Sequence, residues 1–271
     1  MHEPASVPEA SHAALRPIVK SPAWLFCLEP RPLATLRLVC FPFGGGGAGT
    51  FWSWRDALPE QVEVWAVRLP GRENRAAEAC VTDATAAVEC IVAELGALAA
   101  GRSVFFGHSL GAGLAFQTAM ALRARSLPLP ELLVVSGRLP PHLPYPGSWQ
   151  ERPDDELLKH AVELGGIPAD LLAQRALLAP HLPKLRADYR LNADLFYGRT
   201  TPFDFALLAL YGTDDPLVDE AGLREWAQVT RGAFELRRLS GGHFPLLTHA
   251  DQFLAALTAR LRPLLGADAA A

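Results

Sequence analysis

Several things are missing from this 271-residue chain, and each absence removes a class of function. There is no run of about 18 apolar residues, so no membrane-spanning helix is expected. Cysteine is sparse: the four residues, at 27, 40, 80 and 90, form no CxxC pair. That argues against a zinc ribbon or a dithiol redox motif. Cys27 and Cys40 lie in strand-like apolar runs and read as buried, reduced thiols of a cytoplasmic protein. No HExxH or Cys/His cluster is present, so neither metal nor cofactor is expected and the chemistry must come from side chains. Excess positive charge is absent as well. A net charge of −4 and a pI near 6.1 leave no electrostatic footprint for nucleic acid. The opening MHEPASVPEASHAALRPIVK carries Pro and Glu where an export signal needs an apolar segment, and residues 1–22 read as a disordered tail.

What is present is a large globular domain. The chain is 50% hydrophobic and 20% charged, which excludes intrinsic disorder and permits a sizeable core. Apolar, β-branched or aromatic runs at 24–28, 36–41, 62–69, 103–107, 131–137, 205–212 and 234–239 read as strands. Helical spacing appears at 83–99, 110–125 and 250–265. Near-continuous apolar strands alternating with helices predict an α/β fold, a mostly parallel sheet with helices on both faces, over residues 23–271. The alternation fails between about 139 and 198. This stretch opens with LPPHLPYP, whose four prolines forbid regular structure, and continues with amphipathic segments near 154–164, 168–178 and 182–196. It is expected to be a helical lid, inserted where ligands bind such sheets.

Gly107-His108-Ser109-Leu110-Gly111 is a G-x-S-x-G pentapeptide set between a strand and a helix. A strand-to-helix turn this tight strains its central residue, and the flanking glycines remove side chains that would collide there. The Ser109 hydroxyl then stands at the sheet's carboxyl edge and at a helix N-terminus. Serine is a poor nucleophile without a base, and the base needs an orienting acid. In the chain order of this fold the acid and the histidine come later. Asp214 and Asp215 lie in the turn after 205–212, and Asp215, held extended by Pro216, is the favoured acid. His243 lies in the Gly-Gly loop after the last strand. His108 is expected to pack inside the elbow, and His249 to be a helix-face residue. Pro42-Phe43-Gly44-Gly45-Gly46-Gly47 follows the 36–41 strand. Its Gly44 amide, with the amide of Leu110, is the expected oxyanion hole. No Gly-Lys-Ser/Thr follows, which excludes a phosphate loop.

With these residues in place, the chain resembles the type II thioesterases, discrete editing hydrolases of the α/β-hydrolase superfamily that accompany polyketide and nonribosomal peptide synthases. The resemblance covers about residues 24–262. It rests on FPFGGGG followed by Phe51 and Trp52, LPGRENR at 69–75, GHSLG, SGRLPP at 136–141, LGGIP at 164–168, LRADYRLNADLF at 185–196, YGTDDPLV and GGHF. The elbow and triad belong to all α/β-hydrolases, whereas PGRENR, SGR, LGG-x-P and LRAD-x-R are more specific. The chain departs from the family in having Phe43-Gly44 where His-Ala is usual, and Arg68-Leu69 where a Gln-Tyr-like pair precedes PGR. The resemblance implies removal of short or aberrant acyl groups from the phosphopantetheine thiol of acyl or peptidyl carrier proteins, and a monomer is expected. Phe43 and Arg72 are expected to contribute to substrate binding. Arg68, Arg72 and Arg75 are expected either to meet the acidic carrier or the phosphopantetheine phosphate, or to be solvated surface arginines or form an internal pair with Glu73. Alternatives are a carboxylesterase acting on small oxygen esters, a dedicated product-release thioesterase, an acyltransferase and a noncatalytic partner of a synthase.

Overall fold

The computed structural model describes residues 24–98, 101–143, 148–195 and 198–266. The expected tail at 1–22 lies outside the described residues. Seven strands form one sheet: β1 (Leu25–Cys27), β2 (Leu36–Phe41), β3 (Val62–Val67), β4 (Ser103–His108), β5 (Leu132–Ser136), β6 (Ala206–Gly212) and β7 (Phe234–Leu239). Their spatial order is β1-β3-β2-β4-β5-β6-β7. β1 runs antiparallel to β3, and every other pair is parallel. β2 sits between β3 and β4, so the direction of winding reverses beside it. In open parallel sheets this switch point creates the crevice that binds ligands.

The strands read as continuous apolar runs because both faces are covered. Val39, Phe41, Phe105, Leu133, Val135 and Leu207 point to one side. There they meet the helices Ala84–Ala97 and Leu110–Ala124. Leu38, Cys40, Val64, Phe106, Val134 and Leu208 point to the other, against Phe51, Trp54 and the helix Ala250–Leu261. Asp83 caps the first of these helices by accepting from the Ala86 amide at 3.0 Å. The Leu110–Ala124 helix is buried over most of its length. Its small residues let it lie between the sheet and the segment that follows β5.

That segment contains no strand among its described residues. It holds the helices Asp154–Glu163, Arg175–Leu178 and Leu182–Ala193, joined by short 3-10 turns. The helix expected over 168–178 is broken. A 3-10 turn at Ala169–Ala173 gives way at Gln174, whose φ of −101° and ψ of 60° leave the helical region before Arg175–Leu178 resumes. The segment also divides by packing. Leu157, Ala161 and Leu185 form a small cluster of their own, with Trp149, Ile167, Leu182 and Tyr189 against it. Leu191 and Leu195 instead belong to the main core on one face of the sheet.

Candidate active site

The elbow is made by backbone in direct contact. Ser109 has φ 52° and ψ −115°, a left-handed conformation that costs a non-glycine residue strain energy. Its amide donates to the Ser136 carbonyl of the neighbouring strand at 2.8 Å. A Cβ at Gly107 would lie 2.2 Å from the Gly111 oxygen, and one at Gly111 would lie 2.0 Å from the Phe41 oxygen. No side chain fits between the end of β4, the start of the Leu110–Ala124 helix and the end of β2. Ser109 is 8% exposed, at the N-terminus of that helix.

Two loops at the same edge bring the remaining groups. His243, after β7, has Nδ1 2.8 Å from Asp215 Oδ2, after β6. The other oxygen of Asp215 accepts from the Leu217 amide at 2.9 Å, which fixes the carboxylate plane. Both side chains are buried. An ionised carboxylate can only accept, so Nδ1 is assigned as the donor to Asp215, which leaves Nε2 as the ring nitrogen not engaged by this pair. Asp214 is exposed, its amide bonded to the Gly241 carbonyl, and Asp215 is the aspartate within reach of the imidazole. Ser109, His243, Gly44 and Leu110 line one small cleft of about 30 Å³. Beside it lies a cavity of about 250 Å³, and Gly44, Leu164, Tyr189 and Phe244 line both spaces. Phe43, Ile167, Leu171 and Leu178 complete its apolar wall.

His108 and His249 have different settings. His108 is fully buried, with Nδ1 3.0 Å from Ser136 Oγ and its ring 4.9 Å from that of His243. Burial, and then the neighbouring His243, push its pKa well below the ordinary value. It stays neutral and packs against the His243 ring. His249 is exposed and precedes the Ala250–Leu261 helix as its N-cap, rather than lying on its face.

The arginines expected at a carrier surface are placed otherwise. Arg72 is 3% exposed. Its guanidinium is bidentate to Asp188, at 2.9 and 2.6 Å, and also donates to the Gly46 carbonyl at 2.8 Å. Arg75 is buried too, bonded to the Arg68 carbonyl and to both oxygens of Glu78. Neither side chain can reach a docked protein, and the internal partner is not Glu73. Glu73 instead accepts from the amides of Ala48 and Gly49, at 3.2 and 2.8 Å. Arg68 lies over the Phe26 ring.

Two polar residues at the site were given no role from the sequence. Asp188 and Asn192 both line the serine cleft. Asn192 Oδ1 accepts from Arg138, which also donates to the Leu195 carbonyl. The signal was available: Leu185, Asp188 and Asn192 fall at helical spacing on one face, and a polar group on a face that buries leucine must have a partner.

A strained elbow serine, a buried His–Asp pair and a glycine loop at the carboxyl edge of this sheet define an α/β-hydrolase. The chain belongs to the thioesterase-domain family, which matches residues 36–261. It is 32% identical over 243 residues to the gramicidin S biosynthesis protein GrsT of Aneurinibacillus migulanus, covering 89% of this chain and 95% of that one. It is 37% identical over 233 residues to the thioesterase PikA5 of Streptomyces venezuelae, covering 85% of this chain and 83% of the other. Among solved structures it superposes on RedJ, a thioesterase from the prodiginine biosynthetic pathway of Streptomyces coelicolor, with a TM-score of 0.80. Identity there is 34%, over 91% of this chain and 97% of RedJ. The chain is therefore a thioester hydrolase. Among the described residues, no helix is long and apolar enough to cross a membrane.

Proposed function

We propose that this thioesterase edits a biosynthetic assembly line in the cytoplasm as a monomer. It hydrolyses short or aberrant acyl groups from the phosphopantetheine thiol of acyl or peptidyl carrier proteins. The observation that carries the reading is the mostly apolar, partly open cavity of about 250 Å³ beside the serine cleft. This lies just under the roughly 300–1,000 Å³ of sites for drug-sized ligands, and suits a small apolar acyl group. The biosynthetic settings of GrsT and RedJ add support.

Ser109 Oγ attacks the thioester carbonyl while His243 Nε2 takes its proton. Asp215 holds the Nδ1–H tautomer and stabilises the imidazolium. The amides of Gly44 and Leu110 hold the oxyanion. Collapse of the tetrahedral species breaks the C–S bond, and the pantetheine thiolate recovers the proton from His243. Water then attacks the acyl-serine, giving its proton to His243, which returns it to Ser109 as the acid departs. The acyl chain occupies the cavity under the 139–198 lid.

The test compares kcat/KM for a panel of acyl-carrier thioesters with the matching acyl-N-acetylcysteamines and p-nitrophenyl esters. Broad hydrolysis of acetyl and propionyl carriers, faster than of the free analogues, is expected. Equal rates on carrier and analogue would remove carrier recognition. A strong preference for one long chain would favour product release, and faster ester turnover a carboxylesterase.

A further inference from the structure

The glycine loop that supplies the Gly44 amide has little steric means of holding its own shape. Gly44, Gly45, Gly46 and Gly47 are consecutive, and glycine populates both signs of φ with similar ease. The loop nevertheless adopts a defined turn. The Gly46 amide donates to the Phe43 carbonyl at 2.9 Å, and Gly45, at the second central position, has φ +82°. That is the pattern of a type II turn, whose central peptide is flipped relative to type I. The amide of this central peptide, Gly45 N–H, donates to Asp188 Oδ2 at 2.7 Å. The same carboxylate is locked by the bidentate Arg72, and Arg72 in turn holds the Gly46 carbonyl. The clamp is 1% exposed at Asp188, so water does not compete for these bonds.

We infer that Asp188, oriented by Arg72, is a positioning residue for the oxyanion hole. It pins the Gly44–Gly45 peptide in the flipped orientation and so keeps the Gly44 amide aimed at the reacting carbonyl. Asp188 acts through the loop and is not itself a proton carrier. The inference rests on the oxyanion role proposed for Gly44. It gives Arg72 a function inside the protein, and it connects the Leu182–Ala193 helix to the catalytic loop through one carboxylate.

The test uses the full chain and an acyl-N-acetylcysteamine substrate, so that carrier recognition does not enter. Asp188→Ala is expected to lower kcat by about 10- to 100-fold, up to the range reported for loss of an oxyanion donor, with KM within about threefold. Affinity for a trifluoromethyl ketone analogue, which forms an oxyanion on the serine, should fall in parallel with kcat. Asp188→Asn keeps the shape and one acceptor oxygen and should recover part of the loss. It also serves if the alanine variant fails to fold.

Gly44→Pro tests the underlying assignment. Proline suits the first central position of a type II turn, a Cβ there meets only Asp188 Cβ at 3.8 Å, and the donor N–H is removed. If Gly44→Pro loses kcat while folded Asp188 variants keep wild-type kcat and ketone affinity, the clamp is overturned and the oxyanion assignment stands. A fully active Gly44→Pro would overturn the assignment and the clamp with it. A rise in KM alone at Asp188 would make the residue a substrate wall and overturn the inference.

Discussion

The helices Asp154–Glu163 and Leu182–Ala193 belong to one stretch of chain between β5 and β6, yet they are held in different ways. The second is tied to the body of the protein at three levels. Leu191 packs in the main core, Asp188 clamps the glycine loop, and Asn192 is bonded to Arg138 just after β5. The first reaches the body of the protein mainly through the second: Leu157 and Ala161 share a small cluster with Leu185, and exposed charges pair Asp154 with Arg186 and Asp155 with Arg175. Exposed pairs of that kind contribute little to stability. The region that touches the reacting atoms is therefore continuous with the sheet. The Asp154–Glu163 helix rests on this smaller cluster, and it is expected to open at lower energy than the Leu182–Ala193 helix.

The sharpest test of this contrast is at the chemical edge. Ser109→Ala should lower turnover by several orders of magnitude with little change in melting temperature, since the lost hydroxyl is small and at the cleft. Normal turnover would remove Ser109 from the mechanism. Next in size, Asp215→Asn should reduce kcat by about 10³- to 10⁴-fold by disturbing the His243 tautomer, while Asp214→Asn changes it less than about twofold. The reverse ranking would reassign the acid.

The mechanical side of the comparison is addressed by two leucines, both fully buried. Leu191→Ala should destabilise the whole domain by about 2–5 kcal/mol, measured by denaturant unfolding. Leu157→Ala should express its cost locally, as faster amide exchange across Asp154–Glu163 with a smaller fall in global stability. Equal global losses would mean that the two helices are one cooperative unit. The smallest effect concerns His160, whose ring stacks on Trp149 at 3.5 Å and whose Nε2 is buried without a partner. Burial is the main cause lowering its pKa below the usual 6.5, Glu163 opposes the shift and His243 adds to it. As pH falls below about 6.5 the unfolded chain takes up this proton before the folded one, so stability declines on acidification. His160→Phe should flatten part of that acid limb in a plot of melting temperature against pH.

Much of this was legible from local pattern. The strands at 36–41 and 234–239 begin and end as their apolar runs do. GHSLG identified the elbow because strand, turn and helix are contiguous in the chain. His243 and Asp215 follow from chain order along a parallel sheet. What local pattern could not reveal was partnership over distance. Arg72 sits just past a strand's carboxyl end, where an exposed and a buried guanidinium look alike in sequence. Its partner Asp188 is 116 residues away. The break at Gln174 was hidden for a related reason, since the leucines on both sides keep a helical rhythm across a residue that leaves helical geometry.

The cavity wall has a double origin, and this bears on how such enzymes diversify. Ile167, Leu171 and Leu178 come from the outer layer, while Phe43, Leu185, Tyr189 and Phe244 come from elements tied to the catalytic edge. Substitutions in the first group change the shape of the chamber without passing through the oxyanion loop or the His–Asp pair. If the cavity holds the acyl group as proposed, residues from about 149 to 178 offer a place where its size and shape can change while the groups around Ser109 stay as they are.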